Sequence, residues 1–410
     1  MSTVSSTCGI DWAEDHHDVC LLDETGTVLV RERISADAAG FTRLLALFAE
    51  HAEDPASIRV AIETEKNLLV TALARAGHTL YPINPRAVAR YRERTGQAGG
   101  KSDPGDARVL AEILRTDAHL HRTLPANSEA GLAVRALARQ HQEAIWAQQQ
   151  TTCRLRSVLT EFYPQALVAF PKLTHRAALE ILALAPTPAA AEQLTRRRIT
   201  AGLRRCGRRN DPSLVEHILT TLKAPALRQP LAVEVALGTT VMTLLGILTA
   251  MVAAVDALEK SLATAFDVHP QAQIYRSVPG VGTVLGARLL AEIGDDPRRF
   301  RTAAGLRAFS GTAPITRASG RSHYVMARKV RNKRLADACH WWTFSALTKS
   351  PGARAHYDRR RSAGEHHNPA LRNLANKMIG KLYWCLQNHQ LWDENTAWSS
   401  PQTPFLGLAA

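Results

Sequence analysis

Four acids within the first 106 residues have the types and spacing for phosphoryl chemistry. Asp11 ends the string Gly9-Ile10-Asp11, Glu63 ends Val60-Ala61-Ile62-Glu63, and Asp103 and Asp106 stand in Lys101-Ser102-Asp103-Pro104-Gly105-Asp106. Carboxylates crowded together repel one another unless a divalent cation neutralises them, and hard oxygen donors suit Mg²⁺ or Mn²⁺. Two such ions roughly 4 Å apart stabilise both the attacking and the leaving oxygen of a phosphodiester transfer. Each acid also has a purely structural reading. Asp103 before Pro104 makes a helix N-cap with proline in the first turn, and Asp106 then falls where a capping-box acid sits. Asp11 can end a strand beside a turn, and Glu63 can serve the N-terminus of a helix. Their joint placement on three separate elements favours one metal site over four accidents.

The elements that must position them follow from pattern. Short β-type runs cover residues 5–12, 17–23 and 28–34, with Asp23-Glu24-Thr25-Gly26 as the intervening turn. Residues 36–50 have helical spacing, with Phe41, Leu44, Leu45 and Phe48 on one face. A strand at 58–62, a helix at 67–76, a strand at 78–83 ending at Asn84-Pro85, and helical signals at 104–115 follow. The order β-β-β-α-β-α-β-α predicts an α/β, ribonuclease-H-like domain over residues 1–125. In such a domain strands one and four are neighbours, and the late helix packs across their ends.

The rest reads as all-α, then mixed helices and glycine-containing loops: a helical and coiled-coil region at 126–270, a further domain at 271–393, and a tail at 394–410. From Val235 to Val255 the chain has no charge, long enough to span a bilayer. Yet Val241, Leu248, Val255 and Leu262 share one heptad position and Leu244, Met251 and Leu258 the other, which favours a soluble bundle helix over a membrane span.

The 410 residues carry 51 Lys and Arg against 37 Asp and Glu, a net charge of +14. The first domain has more acids than bases, whereas residues 298–361 hold 16 Lys and Arg and only Asp337 and Asp358. A second basic run spans Arg196 to Arg209. Solvated faces use such runs too, but two of one sign make phosphate contacts the better expectation, and DNA or RNA the expected partner. Six scattered cysteines without a Cys-x-x-Cys pair disfavour a disulfide framework and a zinc knuckle. The start lacks a basic segment followed by an apolar core, so a cytoplasmic protein is expected. Trp341, Trp342, Tyr383 and Trp384 are expected in cores or interfaces rather than as base-stacking platforms.

Val278-Pro279-Gly280-Val281-Gly282 before a helical stretch reads as a helix–hairpin–helix-like turn, in which Gly280 and Gly282 let the backbone approach phosphates. Downstream, Arg317, Arg321, Arg328, Lys329, Arg331, Lys333 and Arg334 are the candidate phosphate contacts. Ser319-Gly320, between Arg317 and Arg321, is on spacing alone a turn.

Together the acidic strings, and above all Lys-Ser-Asp-x-x-Asp-Ala, resemble the insertion-sequence 110 transposases and the related Piv-type DNA invertases. The resemblance covers residues of about 5–160 and 275–393. It implies a RuvC-like domain whose Asp-Glu-Asp-Asp tetrad corresponds to Asp11, Glu63, Asp103 and Asp106. One departure is that Thr64-Glu65-Lys66-Asn67 follows the Glu, where the family has Thr-Gly and an aromatic, so Glu65 competes with Glu63 to face the metals. The family's Gly-x-x-Pro and Ser-Gly match Gly311-Thr312-Ala313-Pro314 and Ser319-Gly320, which implies Ser319 as the nucleophile. Also implied are donor and target DNA, a bridge RNA that pairs with both, and a homo-oligomer (dimer or tetramer). The rival readings are a RuvC-like nuclease or junction resolvase that activates water, and a catalytically inert nucleic-acid-binding protein.

Overall fold

A computed structural model of the chain describes residues 6–95, 103–207 and 211–399. It divides into two compact units, residues 1–126 and 127–410.

The first unit is built on a five-stranded sheet. Strands β1 (Thr7–Trp12), β2 (His16–Leu22) and β3 (Val28–Ser35) are antiparallel neighbours. After helix α1 (Ala38–Ala49), capped by Asp37, strand β4 (Arg59–Ile62) returns parallel to β1, with Gly9 opposite Ala61 and Ile10 opposite Ile62. Helix α2 (Leu68–Arg75) leads to β5 (Thr79–Pro82), parallel to β4, which gives the order β3-β2-β1-β4-β5. The expected mixed sheet and the adjacency of strands one and four are therefore present.

Two helices close the unit, α3 (Pro85–Thr95) and α4 (Asp103–Asp117). Sequence pattern anticipated α4 but left α3 out. Alternation divides the packing: Cys8, Ile10, Val60 and Ile62 bury one sheet face against Leu44, Phe48, Val70 and Leu73 of α1 and α2. On the other face Ala61 packs with Leu110, Ile113 and Leu114 of α4 and Val88 of α3. Gly9 is the point of closest approach, since a Cβ there would lie 1.9 Å from the carbonyl oxygen of Ala107. Only glycine lets α4 sit so tightly on β1.

The second unit opens with the long helix α5 (Glu129–Phe162), capped by Ser128. Short helices α6 (Pro164–Ala169), α7 (Arg176–Leu184), α8 (Pro188–Glu192), α9 (Arg196–Arg205) and α10 (Pro212–Leu222) fold against its C-terminal half. Then α11 (Leu231–Asp267) runs back antiparallel to α5: Gln229, just before it, bonds the carbonyl of Glu161, and Glu259 near its far end lies by His141. The heptad positions Val241, Leu248, Val255 and Leu262 are buried on this seam. Although α11 is long and apolar enough to cross a membrane, its seam is thus used within the chain.

A second core gathers the remaining elements around α5 and the end of α11. These are α12 (Ala272–Ser277), α13 (Thr283–Ile293), α14 (Ala303–Ser310), α15 (Lys333–Ala346), α16 (Pro351–Ser362) and α17 (His367–Gln387), while the hairpin β6 (Ile315–Ser319) and β7 (Ser322–Met326), between α14 and α15 in the chain, adds no residue to this core. Buried Glu292 ties them together: it takes two bonds from the guanidinium of Arg139 at 2.8 and 2.9 Å and a third from Asn332 at 2.7 Å. Residues expected to begin a loose tail instead form a short helix, α18 (Glu394–Trp398), whose Trp398 lies over Gly352. Of the four aromatics expected in cores or interfaces, Trp342 is fully buried and bonds the carbonyl of Pro279 at 3.1 Å. Trp341 and Trp384 are 52% and 49% exposed, on helix faces that look outward from the core.

Candidate active site and nucleic-acid interface

Asp11 lies at the C-terminal end of β1, on the same sheet face as Gly9 and therefore toward α4. Glu63 follows the last residue of β4, the parallel neighbour, and is half-buried like Asp11. Asp106 is in the first turn of α4, directly before the residue whose carbonyl presses on Gly9, and is only 5% exposed. The close approach at Gly9 is thus what carries an α4 carboxylate to the strand ends. Asp103 begins α4, and its side chain lies outside the described residues.

Two further charged neighbours carry no sequence signal of their own. The Asp106 carboxylate is ion-paired with Arg92 of α3. Asp18 on β2 stands directly opposite Asp11 in the antiparallel register, and Arg33 of β3 grips it through two hydrogen bonds of 3.1 and 2.8 Å. Like charges directly opposite on a sheet are destabilising, and Arg33 offsets this one. Among the described residues no group of three His, Cys, Asp or Glu side chains is close enough to hold a metal ion. The buried Asp106 thus takes its positive charge from Arg92. Beside the same strand end, Trp12, Phe41 and Leu68 line a groove of about 470 Å³, and Leu68 is 90% exposed.

In the second unit Ser319 ends β6 and faces Ser322 across a two-residue turn, Gly320-Arg321. Gly320 has φ +54° and Arg321 does not share the positive φ, the pattern of a primed hairpin turn. Residues 316–326 are exposed on both faces of this ribbon. Cross-strand pairing puts Ser319, Arg317 and Tyr324 on one face and Thr316, Ala318 and His323 on the other. Arg321, Lys329, Arg331 and Lys333 are exposed, and Arg328 and Arg334 half-buried.

The turn at 278–282 does join two helices, α12 and α13. Gly280 has φ +82°, and a Cβ there would lie 2.7 Å from the backbone nitrogen of Ala346, so packing against α15 accounts for this glycine. Gly282 has no heavy atom within 4 Å of its would-be Cβ. It alone of the two leaves open backbone for a phosphate.

A transposase model of the DEDD type for IS110 elements matches residues 8–164, a span containing all four acids. A second, for transposases of the IS116/IS110/IS902 family, matches residues 272–358, which contain the hairpin. The mini-circle protein of IS117 from Streptomyces coelicolor, provisionally named a transposase, is 49% identical over 409 residues, 98% of each chain. The chain belongs to the IS110 family of transposases. The uncharacterized 43.6 kDa protein of insertion element IS110 from the same species is 32% identical over 72% of each chain. The uncharacterized 42 kDa protein of IS900 from Mycobacterium paratuberculosis is 27% identical over 95% of this chain and 97% of its own. Family membership makes the chain a DNA-binding enzyme that cleaves and rejoins DNA in transposition, and its DEDD domain suggests dependence on a divalent metal.

Proposed function

We propose that the chain is the recombinase of an insertion sequence, with Asp11, Glu63, Asp103 and Asp106 as a RuvC-like acidic site for Mg²⁺ or Mn²⁺ and Ser319 as nucleophile. The observation that supports this reading is that Asp11 and Glu63 stand at the C-terminal ends of two neighbouring parallel strands and Asp106 in the first turn of α4, the helix packed on β1 at Gly9. A divalent cation held there would neutralise charge on a scissile phosphate. Glu63 is preferred to Glu65 because it directly follows β4.

The chain's own residues account for the covalent step. The Ser319 hydroxyl oxygen bonds to phosphorus, the phosphorus bond to one deoxyribose oxygen breaks, and that oxygen leaves as a hydroxyl carrying the proton. Attack by another strand's hydroxyl reverses the exchange and restores the serine, so no external energy source is consumed. Serine hydroxyls need activation, and Arg317 on the same face of the ribbon is placed to stabilise the charge developing on the phosphoryl group.

A bridge RNA is the proposed guide, supported by basic surfaces without a recognisable base-reading motif. A dimer or tetramer is supported by the outward face of α11, where Met242 and Ile247 are 43% and 44% exposed. The proposed site of action is the cytoplasm. Denaturing gels test the nucleophile: wild type forms a protein–DNA adduct, and Ser319→Ala loses it while still binding DNA and RNA. Cleavage without an adduct in the wild type supports the water-activating nuclease instead.

A further inference from the structure

The surface beside the hairpin combines a basic pocket with a row of exposed aromatic rings. The pocket, about 640 Å³, is lined by Lys329, Arg331, Lys333 and Arg372, with Trp146 on one wall. Its acid, Asp337, sits 4.0 Å from the Arg288 guanidinium. The first turns of two helices, α15 and α17, open onto it through Lys333, Ala336, Asn368 and Leu371. The N-cap of α17, His366, makes no side-chain capping bond. Cations and helix N-termini facing one cavity favour phosphate groups.

His340 joins this pocket to the rings, since it lines the one and its ring centroid is 5.5 Å from that of Trp341. Phe344, one turn further along α15, is 6.3 Å from Trp341, and His367 of α17 is 6.4 Å from Phe344. Trp341 and Phe344 are 52% and 51% exposed. The rings meet edge to face and leave their outer surfaces to solvent. A duplex buries its base faces, so rings beside phosphate-binding cations suit unpaired bases.

We propose that this face of the second unit binds a single strand of nucleic acid, with the pocket holding its phosphates and Trp341 and Phe344 stacking on its unpaired bases. Four cations against one paired acid set the occupant as a polyanion. The inference rests on the nucleic-acid-handling half of the recombinase reading and is separable from its chemistry.

The test measures binding of the full chain to roughly 12-nucleotide single strands of DNA and of RNA, and to the matching duplex, by fluorescence anisotropy. Trp341→Ala/Phe344→Ala weakens single-strand binding about tenfold or more, leaves duplex binding within about twofold, and keeps the thermal transition, because both side chains are half outside the core. Lys333→Gln/Arg372→Gln weakens single-strand binding and lowers its salt slope by about 1.4. Whichever of DNA or RNA loses more affinity identifies the strand. Unchanged single-strand affinity, an equal loss for duplex, or a smaller oligomer by light scattering with affinity unchanged each overturns the proposal. A wild type that forms no covalent adduct sinks the serine mechanism and leaves these affinities as they are.

Discussion

Arg92 on α3 holds the buried carboxylate of Asp106 on α4. A guanidinium thus neutralises one of the carboxylates proposed to hold the metal. If the acids form the proposed metal site, the arginine and the ion compete for one carboxylate. Arg92→Ala then makes Mg²⁺ or Mn²⁺ raise the melting temperature of the first unit at lower concentration than in wild type, by about tenfold or more, since a charge-assisted bond is worth about 1.5–3 kcal/mol. Asp106→Asn removes the metal response altogether. Equal metal titrations for Arg92→Ala and wild type would place the ion elsewhere.

Gly9 governs the same geometry from the other side. Its missing side chain admits the Ala107 carbonyl at 1.9 Å and the Ala111 nitrogen at 2.6 Å from where a Cβ would stand. These are backbone atoms, so Gly9→Ala must push α4 off β1, at about 2–4 kcal/mol. Chemical denaturation should show a lowered midpoint for the first unit, with hydrogen exchange faster in β1 and α4. Unaltered exchange there would mean that the helix shifts at little cost.

The elements around the acids were legible because the unit has two buried sheet faces and helices with one-sided apolar stripes. Asp37 and Asn67 each cap the helix that periodicity placed, within two residues of the expected starts. Helix α3 was not legible, because Asn84-Pro85 reads equally as the end of a strand and as the start of a helix. Five of its eleven residues are charged, and among its described side chains only Val88 is wholly buried. The hairpin β6–β7 escaped for a related reason: exposed on both faces, it has no buried side to impose a two-residue hydrophobic period. Arg92 and Asp18 became visible only through register and helix packing, which single residues do not announce.

Asp295 offers a pH test of the second unit. Burial alone would raise its pKa, but hydrogen bonds from His269 and from the side chain and backbone of Ser128 outweigh it and bring the value down to about 2. A carboxylate depressed in the folded state contributes stability above its unfolded pKa of about 3.9 and loses it as pH falls toward the folded value. Asp295→Asn therefore destabilises the unit by about 1–3 kcal/mol near neutrality, and the gap to wild type closes between about pH 4 and pH 2. A gap of constant size in urea unfolding across that range would assign the loss to packing alone.

The register of the hairpin separates its two faces for experiment. Ser319 shares its face with Arg317 and Tyr324, whereas His323 pairs with Ala318 on the reverse side. Arg317→Gln keeps a polar side chain but removes the charge that would offset a pentavalent phosphoryl group. Loss of one such donor costs about 10²–10³ in rate. Adduct formation at saturating DNA should slow by that order with equilibrium binding weakened far less, since a single phosphate contact lowers the salt slope by only about one. His323→Ala, on the far face, should leave the rate within about twofold, because its side chain cannot reach a phosphate attacked by Ser319. Equal rate losses in the two variants would show that both act through the ribbon's stability or through DNA affinity. A rate that falls only with His323→Ala would put the nucleophile on the other face and remove Ser319 from the reaction.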